Sequence, residues 1–114
     1  MRLNMLGAVL TSPVLSAELP AEIRQNGLRI AVVPNYPPME FKDPATSTLT
    51  GFDVDLGEAL ARKLGIKAVW QETSFDQLMP GLATQRFDII LSGMTDTKSR
   101  QDAATFIDYL RGGP

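Results

Sequence analysis

Phe52, Leu56, Leu60 and Leu64 recur at intervals of four, and short apolar runs flank them at Leu28–Val33 and Lys67–Gln71. A helix-period stretch between two strand-like runs restricts the fold sharply. Strands joined by a helix of that length pair in parallel, and the helix then packs on a face of the sheet they form. The pattern predicts a helix from Asp53 to Leu64, with Ala59 widening its apolar stripe. Asp53 is placed to cap it, Asp55 and Glu58 suit its positive end, Arg62 and Lys63 its negative end, and Gly65 the left-handed turn that closes it.

The rest of the chain extends the alternation. Pro34 stops the first strand, and Asn35-Tyr36-Pro37-Pro38 cannot continue a sheet, because two successive prolines lack donors. Asp43-Pro44 and the Ser/Thr-rich residues up to Thr50 predict an exposed hairpin or loop. Ser74-Phe75-Asp76-Gln77 resembles a capping box, while Pro80 and Gly81 require the helix that follows either to start later or to kink. Phe87–Leu91 is a third strand, apolar enough for burial on both faces. A brief helical start at Thr97–Asp102 and a last strand at Thr105–Tyr109 complete the pattern. The expectation is an α/β fold of three layers, a parallel sheet with helices on both faces, in one domain of 114 residues.

Composition narrows the chemistry. The chain has no cysteine and no histidine, which excludes disulfides, thiolate or imidazole metal ligands, and Ser-His-Asp catalysis. With a net charge of -2 and no basic stripe, nucleic acid is not an expected partner. No cofactor is expected. Residues 1–17 carry Arg2, the largely apolar stretch Leu3–Leu10, and Ser16-Ala17 after Val14-Leu15, the pattern of a secretory signal cleaved after Ala17. Residues 18–27, with Pro20 and Asn26-Gly27, form a polar lead-in segment with room for a short helical turn.

In open parallel sheets, ligands collect beyond the carboxyl ends of the strands. The loop after the first strand carries Asn35 and Tyr36. The loop after the third carries Ser92, Gly93 and Thr95, with Arg100 one turn further. Gly93 permits close backbone approach, Ser92 and Thr95 supply hydroxyls, and Arg100 offers a planar fork matched to a carboxylate. From these residues alone, Arg100 could equally form a surface pair with Asp96, and Tyr36 and Phe75 could be packing residues. Trp70 is a packing residue, and the Asp53/Asp55 pair, two apart on a helix, does not face one reaction.

Six segments in register resemble the periplasmic solute-binding proteins of polar amino-acid ABC transporters. They are Leu28–Val32, Tyr36–Phe41, Gly51–Leu56, Phe75–Leu82, Phe87–Thr95 and Thr97–Arg100. The resemblance implies a type II binding-protein lobe over residues 28–110 and a hinge or crossover at 111–114. It implies that Tyr36 and Phe75 border the ligand side chain, that Ser92, Gly93 and Thr95 bind its ammonium and carboxylate, and that Arg100 holds the α-carboxylate. Asp53 remains a structural cap. The implied protein is periplasmic and not an enzyme, and its partners are a free amino acid and a membrane permease. Members that bind cationic amino acids can carry an acidic residue where this chain has Val33, which weighs against a lysine- or arginine-type ligand. Family members continue into a second lobe and return to complete the first, so this chain is expected to be an incomplete lobe that binds free amino acids very weakly or not at all. A dehydratase-like periplasmic enzyme and an extracellular sensor domain are the alternatives on the same fold.

Overall fold

The computed structural model describes residues 19–111 and the backbone of residues 2–7; the side chain of Arg111 is not among the described groups. Strands β1 (Arg2–Gly7), β2 (Leu28–Val32), β6 (Ala68–Glu72), β7 (Ile89–Met94) and β8 (Thr105–Arg111) form one sheet in the order β6-β2-β7-β1-β8. Pairing of β2 with β6 is parallel, Leu28 opposite Ala68 through Val32 opposite Glu72, and β2 is also parallel to β7. Strand β1 is antiparallel to both β7 and β8, so β8 runs in the same direction as the parallel set. The expected parallel sheet is present, with one reversed strand inside it.

The described helices are α1 (Ala21–Asn26), α2 (Phe52–Leu64), α3 (Leu78–Ala83) and α4 (Lys98–Gln101), with a 3₁₀ turn at Phe75–Gln77. Strand side chains alternate between two faces, and the core divides accordingly. Leu28, Ile30 and Leu91 pack with Ile23, Leu56, Leu60 and Trp70 on the α1/α2 face. Ala31 and Ile90 pack with Leu78, Leu82, Phe87, Met94 and Ala104 on the α3 face. The three-layer expectation therefore holds, each layer supplied by the neighbouring residue of the same strand.

Three local expectations are corrected. Asn35–Tyr36 does pair, as β3 of a second, small sheet with β4 (Glu40–Lys42) and β5 (Leu49–Thr50), because the chain leaves the main sheet at Pro34 and starts a new ladder. The apolar stripe of α2 is rotated. Val54, Gly57 and Ala61 are buried, while Phe52 and Leu64 at the ends of the predicted stripe are exposed. Gly57 sits where an added Cβ would come within 2.5 Å of the Trp70 ring, so the helix uses its smallest residues at the closest approach. Asp53 does not cap: the residue before the helix is Gly51, no side-chain cap bond forms, and Asp53 is buried inside the helix's first turn. Gly65 takes the left-handed conformation anticipated for it.

At the amino ends of β2 and β7, the Asp88 carboxylate accepts hydrogen bonds from the Arg29 amide at 2.8 Å and from its guanidinium at 3.0 and 3.4 Å, while Arg29 also donates to the Arg86 carbonyl. The stretch predicted as an export signal contributes β1. Its expected cleavage point after Ala17, and the crossover segment beyond Arg111, lie outside the described residues. No helix among the described residues is long and apolar enough to cross a membrane.

Candidate functional site

Strands β6, β2 and β7 are neighbours and run in one direction, so the loops that leave their carboxyl ends lie side by side. The Thr73 amide donates to the Val32 carbonyl at 3.0 Å and ties two of these ends together. Tyr36 follows β2, Phe75 follows β6, and Ser92–Thr95 closes β7. Pairing of Tyr36 with Glu40 across the small sheet holds its backbone, and its side chain is 37% exposed.

The structure brings Phe75, Thr95 and Arg100 together. The Arg100 guanidinium lies over the Phe75 ring, 5.4 Å from its centroid. Nη1 of Arg100 donates to the Thr95 carbonyl at 3.0 Å, one of the five donors a guanidinium carries. Thr97 caps α4 by accepting from the Arg100 amide, which fixes the backbone from which that side chain extends. Phe75 is 49% exposed despite its size. A cation above an open aromatic face is attracted by only about 0.5–1 kcal/mol, so the stack aligns the guanidinium without engaging all of its donors.

Ser92 and Gly93 are held differently. The Ser92 hydroxyl accepts from the Val33 amide at 2.9 Å and donates to Glu40 Oε1 at 3.2 Å, and the residue is 8% exposed. It therefore ties the loop after β2 and strand β4 to the end of β7 from within. Gly93 has φ of 62°, a left-handed conformation that glycine adopts without strain. The turn that aims the loop thus depends on that residue type.

Behind the loop lies a buried polar cluster with no counterpart in the sequence reading. Glu40 and Asp53 are 1% and 0% exposed, and the Tyr109 hydroxyl donates to Asp53 Oδ1 at 2.6 Å. Oε2 of Glu40 and Oδ2 of Asp53 are buried with no donor facing them. A proton on Glu40 resolves this, because the resulting acid can donate to Asp53, with which it is in hydrogen-bonding contact. Burial first, and then the bond to and charge of Asp53, push the Glu40 carboxyl up to about 9, against a lowering by Ser92. Burial, then Asp53, likewise raises the Tyr109 phenol. Glu40 lies in a short run of apolar and aromatic residues, Met39-Glu40-Phe41, and a lone carboxylate in such a run is the available sign of burial. Tyr109 carried no comparable sign.

An open cavity of about 520 Å³ lies between α4 and β8, lined by Asp96, Asp102 and Asp108 among others. None of Tyr36, Phe75, Ser92, Gly93, Thr95 or Arg100 lines it, and its carboxylates would repel a carboxylate ligand. The loop cluster instead carries a guanidinium, that of Arg100, over Phe75.

Residues 28–113 match the model of bacterial extracellular solute-binding proteins, family 3. The chain is 46% identical over 79 residues to a probable histidine-binding protein of Campylobacter jejuni, covering 69% of this chain and 30% of that protein. It is 40% identical over 113 residues to the L-arginine-binding protein of Pseudomonas aeruginosa, covering 99% of this chain and 42% of that protein. A cyclohexadienyl dehydratase of Pseudomonas aeruginosa is 38% identical over 110 residues, covering 93% of this chain and 41% of that enzyme. The chain thus spans 30–42% of the length of these relatives. Among solved structures, the arginine-bound form of domain 1 from TmArgBP superposes with a TM-score of 0.69 at 39% identity, covering 74% of this chain and 67% of that one.

Proposed function

The chain belongs to the bacterial extracellular solute-binding proteins of family 3, and from that premise we propose that it is the first ligand-binding lobe of an amino-acid-binding protein that supplies a membrane permease. One observation carries the reading: Arg100, aligned over Phe75 and tied to Thr95, stands where three parallel strands end. A bidentate pair between its guanidinium and an α-carboxylate suits that geometry. Tyr36 and Phe75 offer aromatic surface to the ligand side chain, and Gly93 offers a close-approaching backbone. The Ser92 role shifts from direct contact through its hydroxyl to shaping the loop, because that hydroxyl already bonds Val33 and Glu40.

Relatives whose names specify arginine or histidine support a cationic side chain. Val33, half-buried against the α3-face core, offers such a cation no counter-charge. The arginine-bound form of domain 1 from TmArgBP favours ligand capture by a single lobe, and the expectation of negligible binding by this chain alone is revised accordingly. We place the protein in the periplasm, delivered there by residues 1–17, and assign it binding without turnover, as the relatives named as binding proteins suggest.

Isothermal calorimetry with L-arginine, L-histidine and L-glutamine tests the reading. Binding of at least one, abolished in Arg100→Ala with an unchanged circular dichroism spectrum, is the expected outcome. Equal affinity in Arg100→Ala would remove the residue from the site, and heat from none of the three would remove the lobe's own binding activity.

A further inference from the structure

The Glu40 cluster lies between the hydrophobic core, against which Tyr109 packs, and the loop that carries Ser92. It connects four elements: β4 through Glu40, the start of α2 through Asp53, β7 through Ser92, and β8 through Tyr109. Its chain of bonds runs from the Val33 amide to Ser92 Oγ and on to Glu40 Oε1, and from the Tyr109 hydroxyl to Asp53 Oδ1. The two halves meet where the Glu40 and Asp53 carboxyls interact, and Glu40 Oε2 and Asp53 Oδ2 are buried there without another partner.

We infer that Glu40 is a positioning residue for the ligand loop, holding Ser92 and Gly93 in place through a proton it shares with Asp53. The inference rests on the lobe reading only in naming that loop as the ligand's. The physical argument is one of satisfaction. With the proton, Glu40 donates to Asp53 and accepts from Ser92, and each oxygen of the pair has a partner. Without it, two buried carboxylates oppose each other with an unpaired oxygen apiece, a cost that grows in low dielectric. The cheapest relief is to turn Glu40 out of the cluster, which releases Ser92 and with it the left-handed turn at Gly93. The titratable groups set against Glu40 from other elements are Asp53 on α2 and Tyr109 on β8. On its own strand, Lys42 is engaged elsewhere, with Glu72 at 2.9 Å.

The loop is therefore ordered on the acid side of the Glu40 transition and loosens as pH rises through it. If only the ordered loop holds the ligand carboxylate, affinity falls by up to about tenfold per pH unit above the transition, the limit for one linked proton.

The test begins without ligand. In amide NMR of the full chain, the Val33, Ser92 and Gly93 signals should move together between pH 6 and 10 with one midpoint well above the usual carboxyl range. Glu40→Gln, whose neutral amide can still donate to Asp53 and accept from Ser92, should abolish that movement and leave the signals near their neutral-pH positions. Asp53→Asn, which gives an ionised Glu40 a donor, should bring the midpoint down toward the usual range. Static signals in the parent, or an unchanged transition in Glu40→Gln, overturn the inference. Calorimetry with L-arginine then separates it from the lobe reading. Binding lost in Arg100→Ala, but equally pH-dependent in parent and Glu40→Gln, sinks the positioning role alone. A Glu40-dependent amide transition in a chain that binds no amino acid sinks the lobe reading alone.

Discussion

Asp88→Ala removes the carboxylate that ties the residue just before β7 to Arg29 in β2, at the amino end of the parallel strands. Two losses follow. The part-buried Arg29 amide loses its 2.8 Å acceptor, and a backbone donor left unpaired in that setting costs about 1–3 kcal/mol. The guanidinium loses its ion pair, but its side chain is 30% exposed against 14% for Asp88, so water screens most of that interaction and its share stays below about 1 kcal/mol. The Arg86 carbonyl still accepts from the guanidinium, and the Asp88 amide still donates to the Arg29 carbonyl. The expected total is about 2–3 kcal/mol, which lowers Tm by roughly 10–20 °C in a domain of this size. Urea denaturation followed by fluorescence of the single tryptophan, Trp70 in β6, reads the change directly. Asp88→Asn keeps an oxygen for the Arg29 amide and should lose only about 1 kcal/mol. If Asp88→Ala and Asp88→Asn destabilise equally, or Asp88→Ala by less than about 0.5 kcal/mol, the amide–carboxylate bond is not what holds these strands in register.

Gly57→Ala should lower stability: the gain of about 1 kcal/mol in helix propensity is outweighed by overpacking of about 1–3 kcal/mol, since the new Cβ falls 2.5 Å from Trp70. A stabilised variant with unshifted Trp70 emission would show that the ring yields freely. For the whole chain, the raised Glu40 value means that the native state holds the extra proton between about 4.5 and about 9, so stability is greatest on the acid side and declines as pH rises across that window. The slope from this group is at most about 1.4 kcal/mol per pH unit, and Glu40→Gln should flatten it in melts between pH 6 and 9.

What was legible in the sequence were features that repeat or punctuate. The strand–helix–strand rhythm located β2, α2, β6 and β7 to within a few residues, because burial on both faces of a parallel strand and the stop signals Pro34 and Gly65 leave local marks. Strand ends alone put Tyr36 and the Ser92–Arg100 loop on one side of the sheet, whereas Phe75 joins them only through the family resemblance. The errors arose where a pairwise contact decided the matter. Asp53 had the position and chemistry of a cap, yet Tyr109, from the far end of the chain, claims its carboxylate. The stripe on α2 followed the largest residues, whereas Trp70 selects the smallest ones at the contact. For Ser92, a hydroxyl beside a glycine fits a ligand loop, and the sequence carries no sign that the same hydroxyl bonds Val33 and Glu40. The antiparallel position of β1 had no local signature.

That strand also bears on the order of events. Arg2 pairs with Arg111 and Gly7 with Thr105, partners nearly the whole chain apart. Such a pairing closes the longest loop the sequence allows and is among the last to form, after the local β2–α2–β6 unit. During synthesis, residues 2–7 emerge roughly 5–20 s before β8, at about 5–20 residues per second. In that interval a short apolar segment behind Arg2 has neither of its neighbours in the sheet available. The reversed strand thus joins a sheet whose parallel part is already built, and it is the piece that links β7 to β8.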